Sequence, residues 1–200
     1  MTAPTLESCL VRILDPAGVP QGVGFLALPD RVVTCAHVVT DVLGLARSYQ
    51  NRPTQPVQID FPLVGDKRPI WAEVEEHGWY PPQTPPRAGE AEDIAVLKLI
   101  EPASAEATPG PLFVPRLLEE FRERRVTLFG VPEGHDDGDY LRCELAGAVG
   151  NDRVRVNRSI DQRSIRPGFS GGPVWDQATR TVAGIVVEAG TQAANQWADM

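Results

Sequence analysis

Proline and glycine recur so closely along this chain that long helices are discouraged: 19 prolines and 18 glycines interrupt 200 residues. Proline lacks a backbone N–H and clashes with the preceding helical turn, and glycine weakens a helix interior. Between these breaks the apolar residues alternate, or run for a few positions, as in strands buried on one or both faces. Strands are expected at 9–14, 23–28, 31–35, 57–61, 70–77, 94–99, 126–129, 141–149, 153–157, 173–175 and 181–187. Short helical segments are predicted at 39–50 and 117–125, an exposed Pro-rich loop at 80–92, and a linker at 101–115. The length suits one all-β domain or two small fused barrels, with enough chain to bury a substantial core.

Charge narrows the partners. The chain carries 27 acidic against 19 basic residues, net −8, with no basic run, which argues against nucleic acid or an anionic membrane surface. No stretch of about 18 apolar residues occurs, and residues 1–18 lack a basic start followed by an apolar segment, so neither a membrane span nor an export signal is expected. Cys9, Cys35 and Cys143 are odd in number and far apart. That spacing suits small buried hydrophobes in a reducing cytoplasm better than a disulfide framework or a zinc site.

The chemistry-bearing motif is Pro167-Gly168-Phe169-Ser170-Gly171-Gly172-Pro173. A serine hydroxyl needs a general base, a group to orient that base, and backbone N–H groups aimed at a developing oxyanion. Glycine two residues before Ser170 lets the N–H groups of Gly168 and Ser170 converge on one point, making them the candidate oxyanion hole. Thr34-Cys35-Ala36-His37 follows the apolar run Arg31-Val32-Val33, which would set His37 at the end of a buried strand as candidate base. Asp93 opens Asp93-Ile94-Ala95-Val96-Leu97-Lys98-Leu99, a core-strand pattern with a carboxylate at its start, as candidate orienting group.

The order His37, Asp93, Ser170 and its local contexts resemble the trypsin-like (chymotrypsin-fold) serine proteases, particularly the bacterial branch that includes the high-temperature-requirement-type proteases. The resemblance rests on Thr-Cys-Ala-His around His37, Asp-Ile-Ala-Val-Leu-Lys-Leu from Asp93, Pro-Gly-Phe-Ser-Gly-Gly-Pro-Val around Ser170 and Val182-Ala183-Gly184-Ile185-Val186. Gly22-Val23-Gly24-Phe25-Leu26 before Pro29-Asp30 fits the first hairpin of that fold, and the matches run from about residue 8 to about 190. The resemblance implies an all-β fold of two six-stranded antiparallel β-barrels, about 1–105 and about 110–200, with the active site in the cleft between them. It also implies a serine endopeptidase that works through an acyl-enzyme on a protein or peptide substrate, with no metal or organic cofactor. Placed by that alignment, Ser164 lies at the base of the P1 pocket and Val187, Glu188 and Ala189 form the substrate-facing strand.

Two departures refine this picture. Digestive members carry an aspartate before the nucleophile that pairs with a newly cut N-terminus; Phe169 cannot do so, and control is expected instead in the 162–169 segment, with Arg166 as a contact for a regulator. The chain also stops early for the family's closing strand and terminal helix, implying a piece of a longer multidomain protein. The layout suggests a cytoplasmic effector module of a bacterial signalling or defence protein, with regulatory domains in the same chain or a partner protein. The alternative is a catalytically silent trypsin-like binding module, for which no damage to the three residues speaks. A lipase-type esterase is rejected because its histidine comes last in sequence.

Overall fold

A computed structural model describes residues 4–83, 92–113, 118–149, 153–157, 163–189 and 198–199. A one-turn helix, α1 (Leu6–Cys9), leads into β1 (Leu10–Leu14), β2 (Pro20–Leu28) and β3 (Arg31–Thr34). Helix α2 (Ala36–Val42) follows, then β4 (Val57–Asp60), β5 (Ile70–Tyr80) and β6 (Ile94–Leu99). These six strands close into a barrel of order β1-β2-β3-β6-β5-β4, every neighbour antiparallel. Closure removes the free edges that an open sheet would expose.

The second half begins with a 3-10 turn at Leu118–Phe121 and continues through β7 (Arg125–Gly130), β8 (Asp139–Val149) and β9 (Arg153–Val156). It ends with β10 (Pro173–Asp176), β11 (Thr181–Ile185), β12 (Glu188–Ala189) and β13 (Ala198–Asp199). Their order is β11-β10-β7-β8-β9-β13-β12, a curled half-barrel of seven strands beside the closed barrel. The architecture is the chymotrypsin-like fold.

Alternation drives the packing. In β5 Ile70, Ala72 and Val74 point inward while Trp71 and Glu73 face solvent. Leu10, Ile13, Phe25, Ile59 and Leu97 are fully buried in the first core, and Leu128, Leu141, Leu145, Phe169 and Val174 fill the second. Each such side chain contributes about 1.5–3 kcal/mol on burial. Phe129, Val131, Trp175, Val182 and Ile185 of the second half pack into the first core, so the halves are joined through apolar contact. The 101–113 connection is strapped to both: Gly110 N–H donates to Leu26 O, and Val182 N–H to Pro111 O, each at 2.8 Å.

Three local expectations need correction. His37 does not end a strand, and the helix does not begin at 39: α2 starts at Ala36 and ends at Val42, with His37 in its first turn. The reason is non-local. Cys35 supplies no side-chain cap. Instead Asp93 accepts from both leading amides, its backbone carbonyl from Ala36 N–H at 3.3 Å and its Oδ1 from His37 N–H at 2.8 Å. Cys9 likewise belongs to α1, whose Thr5 and Ser8 form a reciprocal capping box. Residues 84–91 of the Pro-rich loop, 114–115 of the linker, Leu117 at the start of the second predicted helical segment and Gln162 lie outside the described residues.

Candidate active site

The site is assembled from three chain segments that meet where the halves touch. His37 Nδ1 stands 2.6 Å from Asp93 Oδ2, and both residues are buried. Asp93 has φ +57°, a left-handed conformation that aspartate tolerates better than most residues. That turn places its carbonyl and carboxylate together on the start of α2. With the carboxylate accepting from Nδ1–H, the His37 tautomer carries its proton on Nδ1 and leaves Nε2 as a basic atom.

Ser170 is half-buried in the loop between Phe169 and β10. Its carbonyl accepts from Val23 N–H at 3.1 Å, fastening this loop of the second half to β2 of the first. Gly22, next along β2, is packed under Val38: a Cβ on Gly22 would stand 2.8 Å from both Val38 methyls and 3.2 Å from Ser170 O. Ser170 and the residue following His37 therefore share one end of β2.

The approach to Ser170 is a tight turn. Phe169 N–H donates to Arg166 O at 3.3 Å, and Gly168, at φ +102°, occupies the third position of that turn as in the type II geometry, with Pro167 at the second. A Cβ on Gly168 would come 2.5 Å from Val131 O. The N–H groups of Gly168 and Ser170 donate to no acceptor among the described residues. Between them the Phe169 side chain, 1% exposed, plunges into the second core. A cleft of about 560 Å³ opens beside Gly168, lined by Gln21, Val131, Glu133, Asp136, Arg166 and Pro167.

Of the expected substrate-pocket residues, Ser164 and Val187 are half-buried. Glu188 and Ala189 form β12, which pairs with β13 in the register Glu188↔Asp199 and Ala189↔Ala198. β12 ends the sheet order, so its other edge has no strand partner among the described residues. Arg166 does not stand free, its guanidinium lying 3.6 Å from Asp139.

Sequence reasoning did not assign a role to Cys35. Its buried Sγ donates to Val186 O at 3.3 Å, and burial, reinforced by the charge of Asp93, pushes the thiol well above its ordinary value. Cys35 Sγ, a His37 ring nitrogen and an Asp93 oxygen lie within 4.8 Å of one another, the one such trio among the described residues that could share a cation. Each atom is already engaged, Nδ1 with Oδ2 and Sγ with Val186 O. Its signal was its place in the Thr-Cys-Ala-His motif.

Residues 22–185 match the family described as the trypsin-like peptidase domain, and the chain belongs to that family, whose members are serine peptidases. No curated protein is a significant match. Among solved structures, the chain is similar to the Rv3671c protease of M. tuberculosis H37Rv in its inactive form. The match has 21% identity and TM-score 0.63 over 96% of this chain and 83% of that one. An inactive serine-to-alanine mutant of the same protease matches at 22% identity and TM-score 0.63 over 96% and 81%. Mouse neuropsin, a serine protease expressed in the limbic system of the brain, matches at 13% identity and TM-score 0.67 over 100% and 91%. Among the described residues no helix is long and apolar enough to cross a membrane.

Proposed function

We propose that the chain is a serine endopeptidase whose triad is His37, Asp93 and Ser170 and whose oxyanion hole is the pair of N–H groups on Gly168 and Ser170. The observation that carries this reading is the His37 Nδ1–Asp93 Oδ2 contact of 2.6 Å, with the neighbouring Val38 packed over Gly22 of β2, the strand whose Val23 N–H holds the Ser170 carbonyl. Ser170 Oγ attacks the peptide carbonyl as His37 Nε2 takes its proton, and Asp93 stabilises the imidazolium that forms. The carbonyl oxygen, now negative, accepts from the N–H groups of Gly168 and Ser170, which have no acceptor among the described residues. His37 then protonates the leaving amine, the C–N bond breaks, and an acyl ester remains on Ser170. Water, deprotonated by His37, hydrolyses that ester and restores the hydroxyl.

The edge of β12 that has no strand partner among the described residues suits an extended peptide, which would add to the sheet by main-chain hydrogen bonds. Ser164 at the base of the P1 pocket offers a hydroxyl and no charge, favouring uncharged P1 residues over Arg and Lys. The same reading makes the domain an effector module of a larger bacterial signalling or defence protein, acting on a cytoplasmic protein under regulatory domains or a partner. Labelling by a fluorophosphonate probe tests the chemistry. Wild type should be labelled at Ser170 and cleave peptides, while folded Ser170→Ala and His37→Ala should do neither. Wild-type turnover in Ser170→Ala would refute the assignment.

A further inference from the structure

The Val186 carbonyl is a junction between the two halves of the proposed active site. It accepts from Gly171 N–H at 2.8 Å and from the Cys35 thiol at 3.3 Å, filling both lone pairs of one oxygen. Gly171 follows the candidate nucleophile, and Cys35 lies two residues before the candidate base. Val186 itself is pinned, its N–H donating to Gly172 O at 2.9 Å. The contact surface is too tight for play: a Cβ on Gly171 would stand 3.0 Å from Cys35 N and overlap both Thr34 Oγ1 and Val23 O. Thr34 Oγ1 is held by its own bond to Val23 O at 2.7 Å. Cys35 is therefore the one side chain of this group that bonds across the boundary from the His37 segment to the second half.

We propose that Cys35 is a positioning residue: through its bond to the Val186 carbonyl it sets the His37–Asp93 pair in register with Ser170. The inference rests on the triad reading above. Its role is mechanical, and the thiol is protonated throughout. Burial holds it so, and a thiolate within 4.8 Å of the Asp93 carboxylate would oppose the charge that this carboxylate contributes. The partner bond ties a helix start to a loop, and small displacements between base and nucleophile are costly to rate.

The test compares Cys35→Ala, which removes the donor, with Cys35→Ser, which retains one. For Cys35→Ala the expected result is a loss of roughly tenfold or more in kcat with KM within about twofold, since the substrate contacts are untouched. The low-field proton resonance of the His37 Nδ1–H to Asp93 bond should broaden or shift. Cys35→Ser should recover kcat to within about threefold of wild type and restore that resonance. Wild-type kcat and an unchanged resonance in Cys35→Ala would overturn the proposal, as would equal losses in folded Cys35→Ala and Cys35→Ser. If Cys35→Ala does not fold, Cys35→Val takes its place as the variant without a donor, read by the same two measurements. Absence of fluorophosphonate labelling in wild type would remove the triad reading and this inference with it. Labelled, active wild type alongside an indifferent Cys35→Ala would remove this inference alone.

Discussion

The ring of Phe169 packs against the bare backbone of Gly130, so close that a Cβ on Gly130 would overlap the ring and stand 2.6 Å from its Cδ2. Phe169 is the residue between Gly168 and Ser170, so this contact fixes the loop that carries their N–H groups. Gly130→Ala should drive the ring off its seat, destabilising the protein by about 1–3 kcal/mol and lowering kcat as the Gly168 and Ser170 amides shift. Phe169→Leu added to Gly130→Ala should recover part of both losses, because the shorter side chain frees the space. Thermal melts and peptide turnover of the single and double variants check this. Strictly additive losses would show that the two residues do not act through one contact.

Gly168 is constrained twice, by φ +102° and by Val131 O at 2.5 Å from any added Cβ. Gly168→Ala should rotate the turn and withdraw one N–H from the carbonyl oxygen of a bound substrate. The loss of a single oxyanion donor corresponds to about 10²–10³ in kcat. The global fold should survive, because Phe169 still anchors the loop. Steady-state kinetics beside a circular dichroism melt decide the matter, and an alanine variant within about threefold of wild type would exclude Gly168 from the oxyanion hole.

How far the sequence reached can be judged from individual residues. β6 over Ile94–Leu99 has the bounds that its apolar run predicts, with Ala95, Leu97 and Leu99 buried at alternate positions as the period of a strand requires. The β2–β3 hairpin turned at Pro29-Asp30 as its turn residues require. The start of α2 was not legible, since its leading amides are met by Asp93 from a distant segment, a bond that no local pattern around His37 displays. β12 and β13 are two residues each, too short for any periodicity. The His37–Asp93 contact follows from motifs, whereas Gly130 under Phe169 and Cys35 on Val186 are packing relations that only the folded chain displays.

Acid should weaken the second half through Asp176. Burial raises this carboxyl, but Arg124 at 2.5 Å and the N–H groups of Thr179 and Ala178 outweigh it and hold it below the ordinary aspartate range. A depressed folded-state value means that the stabilisation is fully present above the unfolded value of about 3.9 and is lost as pH falls through the folded one. Asp176→Asn should cost about 3 kcal/mol near neutral pH, because Arg124 is left facing an amide. That corresponds to a Tm lower by roughly 6–12 °C. The gap between variant and wild type should narrow below about pH 4. A gap that is constant from pH 7 to pH 3 would show that packing, not charge, is lost.

Asp93 performs two tasks that different substitutions separate. Its Oδ1 caps His37 N–H while its Oδ2 orients the imidazole. Asp93→Asn retains a carbonyl oxygen for the cap but turns an NH₂ group toward Nδ1, which forces the ring proton onto Nε2 and removes the base. In the Ser-His-Asp template that change costs about 10⁴ in kcat near neutral pH with the geometry intact. Here it should leave the melting temperature within a few degrees of wild type. Asp93→Ala loses the cap as well, at about 1 kcal/mol, and places an ordinary side chain at φ +57°, a further cost of about 1–2 kcal/mol. Its kcat should fall by a similar factor and its melt by visibly more. An Asp93→Asn protein that keeps more than about a tenth of wild-type kcat would mean that another group orients His37.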